Sequence, residues 1–331
     1  MSFIYAVKRV FRMDMSRAFG EISRVSKKSG KSKAGVLFDM LMCGMRYGAG
    51  PSDYELFEFY NLSAAQRKTY VTRGTNNALV RKYNDKSLWH VFDNKNEFNE
   101  TFSGYIHRDW LLTDGMTADR FNDFISDKKE FIYKPVDGTC GRGIEKISVS
   151  GKSAGELYEY VLNKPRGIIE EVVVQHSALS RVYPLAINTI RVVTILKDGD
   201  VTPVFAFWRI GNNGKFVDNL NSGGMAALLD IESGTVTLPA ADKNGDTYEA
   251  HPYTGEKIVG FKIPMWQDII STVCSAARVM PRVGYVGWDV ALSEDSIQLI
   301  EGNCFPGHDI LQLPAYTPDK IGLMPRIRKF L

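Results

Sequence analysis

The chain has 331 residues, of which 44% are hydrophobic and 24% charged, with a formal net charge of +3. That length buries a substantial core and exceeds an ordinary single domain, so two or three lobes are expected, and the composition excludes a disordered chain. The mild positive balance gives no argument for a nucleic-acid partner, and no run approaches the roughly 18 apolar residues of a membrane span.

The opening "MSFIYAV" is too short for a signal-peptide core and runs directly into charge, so a cytoplasmic protein is expected. Residues 1–33 hold Lys8, Arg9, Arg12, Arg17, Arg24, Lys27, Lys28, Lys31 and Lys33 against only Asp14 and Glu21. A solvated helix face explains such a run; so does weak contact with an anionic membrane surface or a lipid-linked substrate. "AGVLFDMLMCGMRYG" and "DYELFEFYNLSAAQRKTYV" show apolar residues at helical spacing, separated by "GAGPSD", and Asp53 stands where a helix starts. "NDKSLWHVFDNKNEFNETFSGY" has helix-compatible polarity.

From about residue 118 the texture changes. "TADRFNDFISDKKE" predicts an amphipathic helix, "EFIYKPV" and "GIEKISV" two short strands around a glycine loop, "SAGELYEYVLNK" a helix and "RGIIEEVVVQH" a strand. Farther on, "AINTIRVVTILKDGD", "VTPVFAFWRIG", "MAALLDIESGTV" and "VGYVGWDVALSEDSIQLIEGN" predict an antiparallel sheet with tight turns at "KDGD" and "IESGT". "MWQDIISTVCSAARVM" predicts a helix stopped by Pro281. The class is α+β. Cys43, Cys140, Cys274 and Cys304 are widely spaced without a CxxC pair, which encodes neither a zinc site nor a disulfide framework.

Four groups of residues carry candidate chemistry. In "YKPVDGTCGRGI", Gly138, Gly141 and Gly143 with Thr139 and Arg142 form either a tight turn or a cradle of backbone N–H groups for phosphate, and Lys134 stands at its base as a point charge. It is neither a P-loop nor a dinucleotide fingerprint. In "WDVALSEDSIQLIEGN", Asp289 and the Glu301/Asn303 pair meet across a hairpin and offer the hard oxygen donors that suit Mg²⁺. Asn188 and Arg191 lie in an otherwise β-branched strand, where a buried arginine requires an anionic partner. Glu170 and Glu171 precede apolar residues that can form a nucleotide-base slot.

These elements, in this order, resemble the ATP-grasp superfamily over residues 93–315, and the later strands look most like its subgroup associated with sugar and surface-polysaccharide biosynthesis, related to glutamate ligases. The resemblance implies an ATP-grasp fold, with two α+β lobes clasping ATP over residues 93–183 and 184–331. A mainly helical region, residues 1–92, precedes them and departs from the family's usual first lobe. For the nucleotide it implies Lys95 and Lys134 as the two lysines, Gly138 to Gly143 as a mobile lid, Glu170, Glu171 and Val173 at the adenine hinge, and His176 near ribose or phosphate. It implies Arg191, with Lys134 and Asn188, at the transferring phosphate, and Asp289, Glu301 and Asn303 as ligands of two Mg²⁺. The loop "VDNLNSGG", with Asp218, Asn219, Asn221, Ser222, Gly223 and Gly224, is a candidate acceptor or phosphate-contact loop, and Arg209, His251 and His308 are candidate cleft residues. The implied chemistry is ATP-dependent joining of a small-molecule or glycan carboxylate to an amine, with a uronic acid as the first candidate. A peptide or amino-acid ligase, a kinase of the same fold and a nucleotide-binding protein without turnover are the alternatives.

Overall fold

The computed structural model describes residues 15–136 and 143–331, with side chains from residue 19 onward. Lys8, Arg9 and Arg12 of the basic run, and Gly138, Thr139, Cys140, Gly141 and Arg142 of the glycine loop, lie outside the described residues. The chain divides into two compact units, one of residues up to 82 together with 307–331, the other of residues 83–306.

The first unit is helical, as its apolar spacing predicts. Ser32 caps helix Lys33–Tyr47 through the N–H of Gly35, and Gly48, at φ 66°, ends it in the left-handed conformation that glycine adopts without strain. The next apolar stretch is not one helix. Helix Pro51–Leu56 stops where Glu58 takes a φ of 50°, a single turn covers Phe59–Asn61, and Ser63 begins a new helix, Ala64–Arg67, with a capping box to Gln66. The breaks fold Tyr54, Phe57, Phe59, Tyr60 and Tyr70 onto one another as an aromatic core.

Residues 307–331 join this helical unit. The buried Gln312 side chain accepts from Val71 N (2.8 Å) and Leu323 N (3.0 Å) and donates to Val71 O (2.9 Å) and His308 O (2.7 Å). Residues 307–331 therefore belong with the helical unit and not with the C-terminal lobe expected over 184–331.

The second unit carries two antiparallel sheets. Strands β1 (Trp110–Leu112), β2 (Glu130–Pro135), β3 (Glu145–Ser148) and β4 (Gly167–Glu171) form the smaller, in the order β1-β4-β2-β3. Helices Ala118–Ile125 and Ala154–Leu162 cover it with Phe121, Phe124, Leu157 and Val161, the apolar faces their spacing predicts. β4 ends at Glu171, so the second half of "RGIIEEVVVQH" is extended but unladdered.

The larger sheet runs β11-β10-β5-β6-β7-β8-β9, built from β5 (Ile190–Lys197), β6 (Asp200–Ile210), β7 (Met225–Leu229), β8 (Ala240–Asp242), β9 (Thr247–Tyr248), β10 (Tyr285–Leu292) and β11 (Ile297–Asn303). "KDGD" makes the β5–β6 hairpin with Asp198 and Gly199 both at positive φ, the geometry of a tight hairpin turn. Trp266, Ile269 and Val273 of helix Trp266–Ala276 join the core on this sheet, together with Phe92, Phe98 and Phe102 from the segment around helix Lys95–Thr101. A side chain at Gly302 would put its Cβ 2.8 Å from the Phe98 ring, so this strand end admits only glycine. Among the described residues no helix is long and apolar enough to cross a membrane.

Candidate active site

The pleat of the larger sheet assembles one charged row. Asp289 on β10 lies directly opposite Arg191 on β5 and directly opposite Glu301 on β11, so three adjacent central strands present an arginine and two carboxylates side by side. Arg191 grips Asp289 with Nε and Nη2, and its Nη2 stands 3.5 Å from Glu301. Arg209, on β6 and of the same parity as Phe207 opposite Arg191, adds Nη1 to Asp289 at 2.6 Å and Nη2 to Asp218 at 2.9 Å, and also donates to Asn219. Asp218 in turn accepts from the N–H (3.0 Å) and hydroxyl (2.5 Å) of Thr189.

The electrostatics follow from that packing. Burial by itself would raise the Asp289 carboxyl, but Arg191 and Arg209 outweigh it and hold it below the ordinary aspartate range. The Glu301 carboxyl is pushed up, by desolvation first and by the Asp289 charge beside it second.

Glu301 and Asn303 fit a magnesium ion by their donor chemistry, and Asp289 joins them only by giving up one of its guanidinium partners. All three offer hard oxygens, the Glu301 side chain is 47% exposed, and the Asn303 amide has a buried nitrogen with no hydrogen-bond partner. Which end of that amide carries the oxygen is an assignment from hydrogen bonding, so turning it over aims an unpartnered oxygen at the same place. Among the described residues no group of three or more histidine, cysteine, aspartate and glutamate side chains is arranged to hold a metal; the set here relies on an asparagine.

The smaller sheet supplies the second cluster. Lys134 on β2 and Glu170 on β4 are diagonal neighbours on one face, since Glu170 lies opposite Ile132, and the lysine ammonium bonds the Glu170 carboxylate. Glu170, 2% exposed, also accepts from Asn99 Nδ2 (3.1 Å) and Arg108 Nη2 (2.9 Å). Its carboxyl is held far below the ordinary range, because Arg108 and Lys134 overcome the cost of burial. Arg108 reaches across to the larger sheet as well, donating through Nη1 to Leu299 O (2.7 Å) and Gln298 Oε1 (3.1 Å) of β11.

Arg108 is the residue that sequence reasoning missed. It stands in "HRDW", one residue of ordinary polarity before a three-residue strand, and only its long-range partners distinguish it from a surface arginine.

The remaining candidates divide. Lys95 sits at the start of its helix with Nζ 3.5 Å from the carbonyl of Val136, the residue after β2. Gly143 closes that loop at φ 72°, with the ring of Pro135 so near that a Cβ would lie 2.8 Å from it. Val172 and Val173 follow the last ladder residue of β4, and their main-chain groups make no hydrogen bond among the described residues, which leaves an edge for a base. The Glu171 N–H is committed to Asp109 O at 2.9 Å and does not belong to that edge. Gly224 packs so tightly on the carbonyls of Asp218 and Ile210 that a Cβ would lie 2.4 Å from the first, which pins the loop carrying Asn219, Ser222 and Gly223 next to Arg209.

Four candidates are placed elsewhere by their contacts. Asn188 is a brace: its amide donates to Gln175 Oε1 (3.0 Å) and Tyr183 O (2.8 Å) and accepts from Gly211 N (2.8 Å), leaving nothing for a phosphate. Asn188→Ala is expected to cost about 2–3 kcal/mol of stability, because it strands buried groups, and to leave nucleotide affinity unchanged in the folded fraction, as denaturant unfolding and calorimetry would read. His176 caps helix Ser177–Val182, its Nδ1 accepting from Ala178 N at 3.1 Å. His251 bonds Gly211 O at 2.9 Å, and burial lowers its pKa. His308 belongs to the helical unit, buried and 3.1 Å from Asp53.

A family model described as sugar-transfer associated ATP-grasp matches residues 74–330. No curated protein matches the chain. Among solved structures the chain is similar to the ADP complex of purK, N5-carboxyaminoimidazole ribonucleotide synthetase, at 12% identity over 67% of this chain and 47% of that one, with a TM-score of 0.43. It is similar to the ATP-grasp ligase PsnB complexed with minimal precursor, Mg and ADP, at 14% identity over 74% and 62%, with a TM-score of 0.42. D-alanine–D-alanine ligase from Bacillus anthracis complexed with ATP aligns at 12% identity over 72% and 65%, with a TM-score of 0.42. The chain spans less than two thirds of the length of each of these three.

Proposed function

The chain belongs to the sugar-transfer associated ATP-grasp family, and from that premise we propose that it is an ATP-dependent carboxylate–amine ligase that forms an amide through an acyl phosphate. The observation that carries the reading is the row Arg191–Asp289–Glu301, with Asn303 at the strand end and Arg209 behind it, two strand-borne carboxylates and an amide set among guanidinium groups. The acid is a uronic acid of a surface glycan or another small carboxylate, and the amine an amino acid or related amine; the family's description supports the sugar, and nothing in the side chains selects it.

Asp289, Glu301 and Asn303 would hold Mg²⁺, which when bound offsets charge on the phosphates. Lys134 and Lys95 bind the nucleotide at the base of the glycine loop, and the open main-chain edge at Val172 and Val173 receives the base. The substrate carboxylate oxygen attacks the γ-phosphorus, the bond to the β-phosphate oxygen breaks, and ADP leaves. The amine nitrogen then attacks the acyl carbon, loses a proton to solvent and expels inorganic phosphate. Arg191 and Arg209 hold their positive charge where negative charge gathers in both steps, so they contribute by preorganisation.

Glu301→Gln tests the reading. The substitution is expected to reduce ADP formation by at least a hundredfold while the protein still unfolds cooperatively near the wild-type temperature, because Glu301 is half exposed and only loosely paired with Arg191. Wild-type ADP release that requires both an acid and an amine marks a ligase, whereas a stable phosphorylated product marks a kinase. A Glu301→Gln enzyme with full activity would overturn the metal assignment.

A further inference from the structure

The helical hairpin Met15–Ser29 and Lys33–Tyr47 has a surface to which the proposed function assigns no role. Helix Lys33–Tyr47 is apolar on both sides. Val36, Met40 and Cys43 are buried, while Leu37, Phe38 and Met45 point outward with Leu41 between them at helical spacing, Phe38 being 68% and Met45 43% exposed. A surface helix ordinarily carries one apolar stripe and a polar back, so an outward Leu-Phe-Leu-Met face needs an apolar phase to cover it.

The charges of the hairpin are sorted by sign. Lys27 and Lys28 in the last turn of the first helix, Lys33 in the first turn of the second and Arg46 in its last turn are exposed, and none forms an ion pair among the described residues. The carboxylates of the same hairpin turn inward: Glu21 is buried and accepts from Ser52 Oγ at 2.9 Å, and Asp39 is held bidentate by Arg67, with Tyr54 Oη at 2.7 Å. Arg24 is the exception among the cations, taken up by Glu55 at 2.8 Å. The outside of the hairpin is thus apolar and cationic with its acids neutralised within the fold.

We propose that this face docks on an anionic lipid bilayer, with Phe38, Leu37 and Met45 entering the acyl boundary and Lys27, Lys28, Lys33 and Arg46 meeting headgroup phosphates. A membrane surface is the partner that offers both an apolar phase and dense negative charge over the width of a helix hairpin. The inference stands on the hairpin alone and holds whether or not the ligase reading does.

The test is sedimentation of the full chain with vesicles of phosphatidylcholine, with and without phosphatidylglycerol, at low and high salt. The wild type is expected to sediment with the phosphatidylglycerol vesicles only, and to be released as salt rises. Phe38→Gln is expected to abolish most of the binding, and Lys27→Gln and Lys28→Gln each to weaken it by roughly fivefold. All three positions are exposed, so the variants should unfold at the wild-type temperature, and a variant that fails to do so is replaced by Met45→Gln read in the same assay. Equal binding to neutral vesicles, or binding that Phe38→Gln leaves intact, overturns the proposal. So does a self-associated wild type that sediments with neither vesicle and that Phe38→Gln converts to monomer by size-exclusion chromatography, which would assign the face to a second copy, and so does retention by an acidic protein without any vesicle binding.

Discussion

Arg108→Met is expected to weaken ATP binding by at least tenfold, and adding Glu170→Gln to the same chain to restore it; titration calorimetry on the two single variants and the double variant reads both effects. The reason is a count of charges. Glu170 is buried and accepts from Asn99, Arg108 and Lys134, so two cations share one carboxylate. When Lys134 turns toward a nucleotide phosphate, Arg108 and Asn99 still satisfy Glu170. Without Arg108, the lysine can leave only by stranding a buried carboxylate, which costs several kcal/mol, and tenfold is about 1.4 kcal/mol. Removing the Glu170 charge removes that restraint, so the losses do not add. Were Arg108 only a packing element between β1 and β11, Glu170→Gln would deepen the defect. Arg108→Lys keeps the charge and serves if the methionine variant unfolds.

Asp289→Asn is expected to be the most damaging single change in the larger sheet, lowering stability by about 3–5 kcal/mol and abolishing turnover. It leaves Arg191 and Arg209 beside a neutral amide, and breaking a buried ion pair from one side costs that much. Glu301→Gln, one strand over, abolishes turnover alone. Urea unfolding with an ADP-release assay separates the two, and equal stabilities would contradict the ion-pair geometry. The pH dependence has a definite sign. The Asp289 carboxyl is held below its ordinary range in the folded protein, so its contribution is complete above the unfolded aspartate value and is lost as pH falls through the folded one. The acid limb of the stability curve should flatten in Asp289→Asn.

The sheets were legible because their signals are local. Alternation and turn residues in "KDGD" and "LSEDS" fix the hairpins, and the parity of Glu301 and Asn303 at a strand end places them on one face of a site. The place of Lys134 near the end of a strand was legible for the same reason. Arg108 was not, because its importance lies in partners 62 and 191 residues away, which no period encodes. His176 and Asn188 carried the right residue types for a site, yet His176 spends its Nδ1 on the Ala178 N–H and Asn188 its amide on Gln175, Tyr183 and Gly211, uses that sequence cannot separate from catalysis. The breaks at Glu58 and Ser63 escaped notice because Glu58 takes a left-handed conformation without being glycine, and the pull of the aromatic core outweighs the local preference for one long helix.

The Gln312 side chain, through its bonds to Val71, Leu323 and His308, has a temporal consequence. A ribosome makes helices Met15–Ser29 and Lys33–Tyr47 before residues 83–306 and residues 307–331 after them, so those helices wait for a later segment while the two sheets, contiguous in the chain, are free to fold in between. The unit begun before the sheets is completed after them, and a nascent chain stalled short of Gln312 would display those helices without the segment that bonds to Val71.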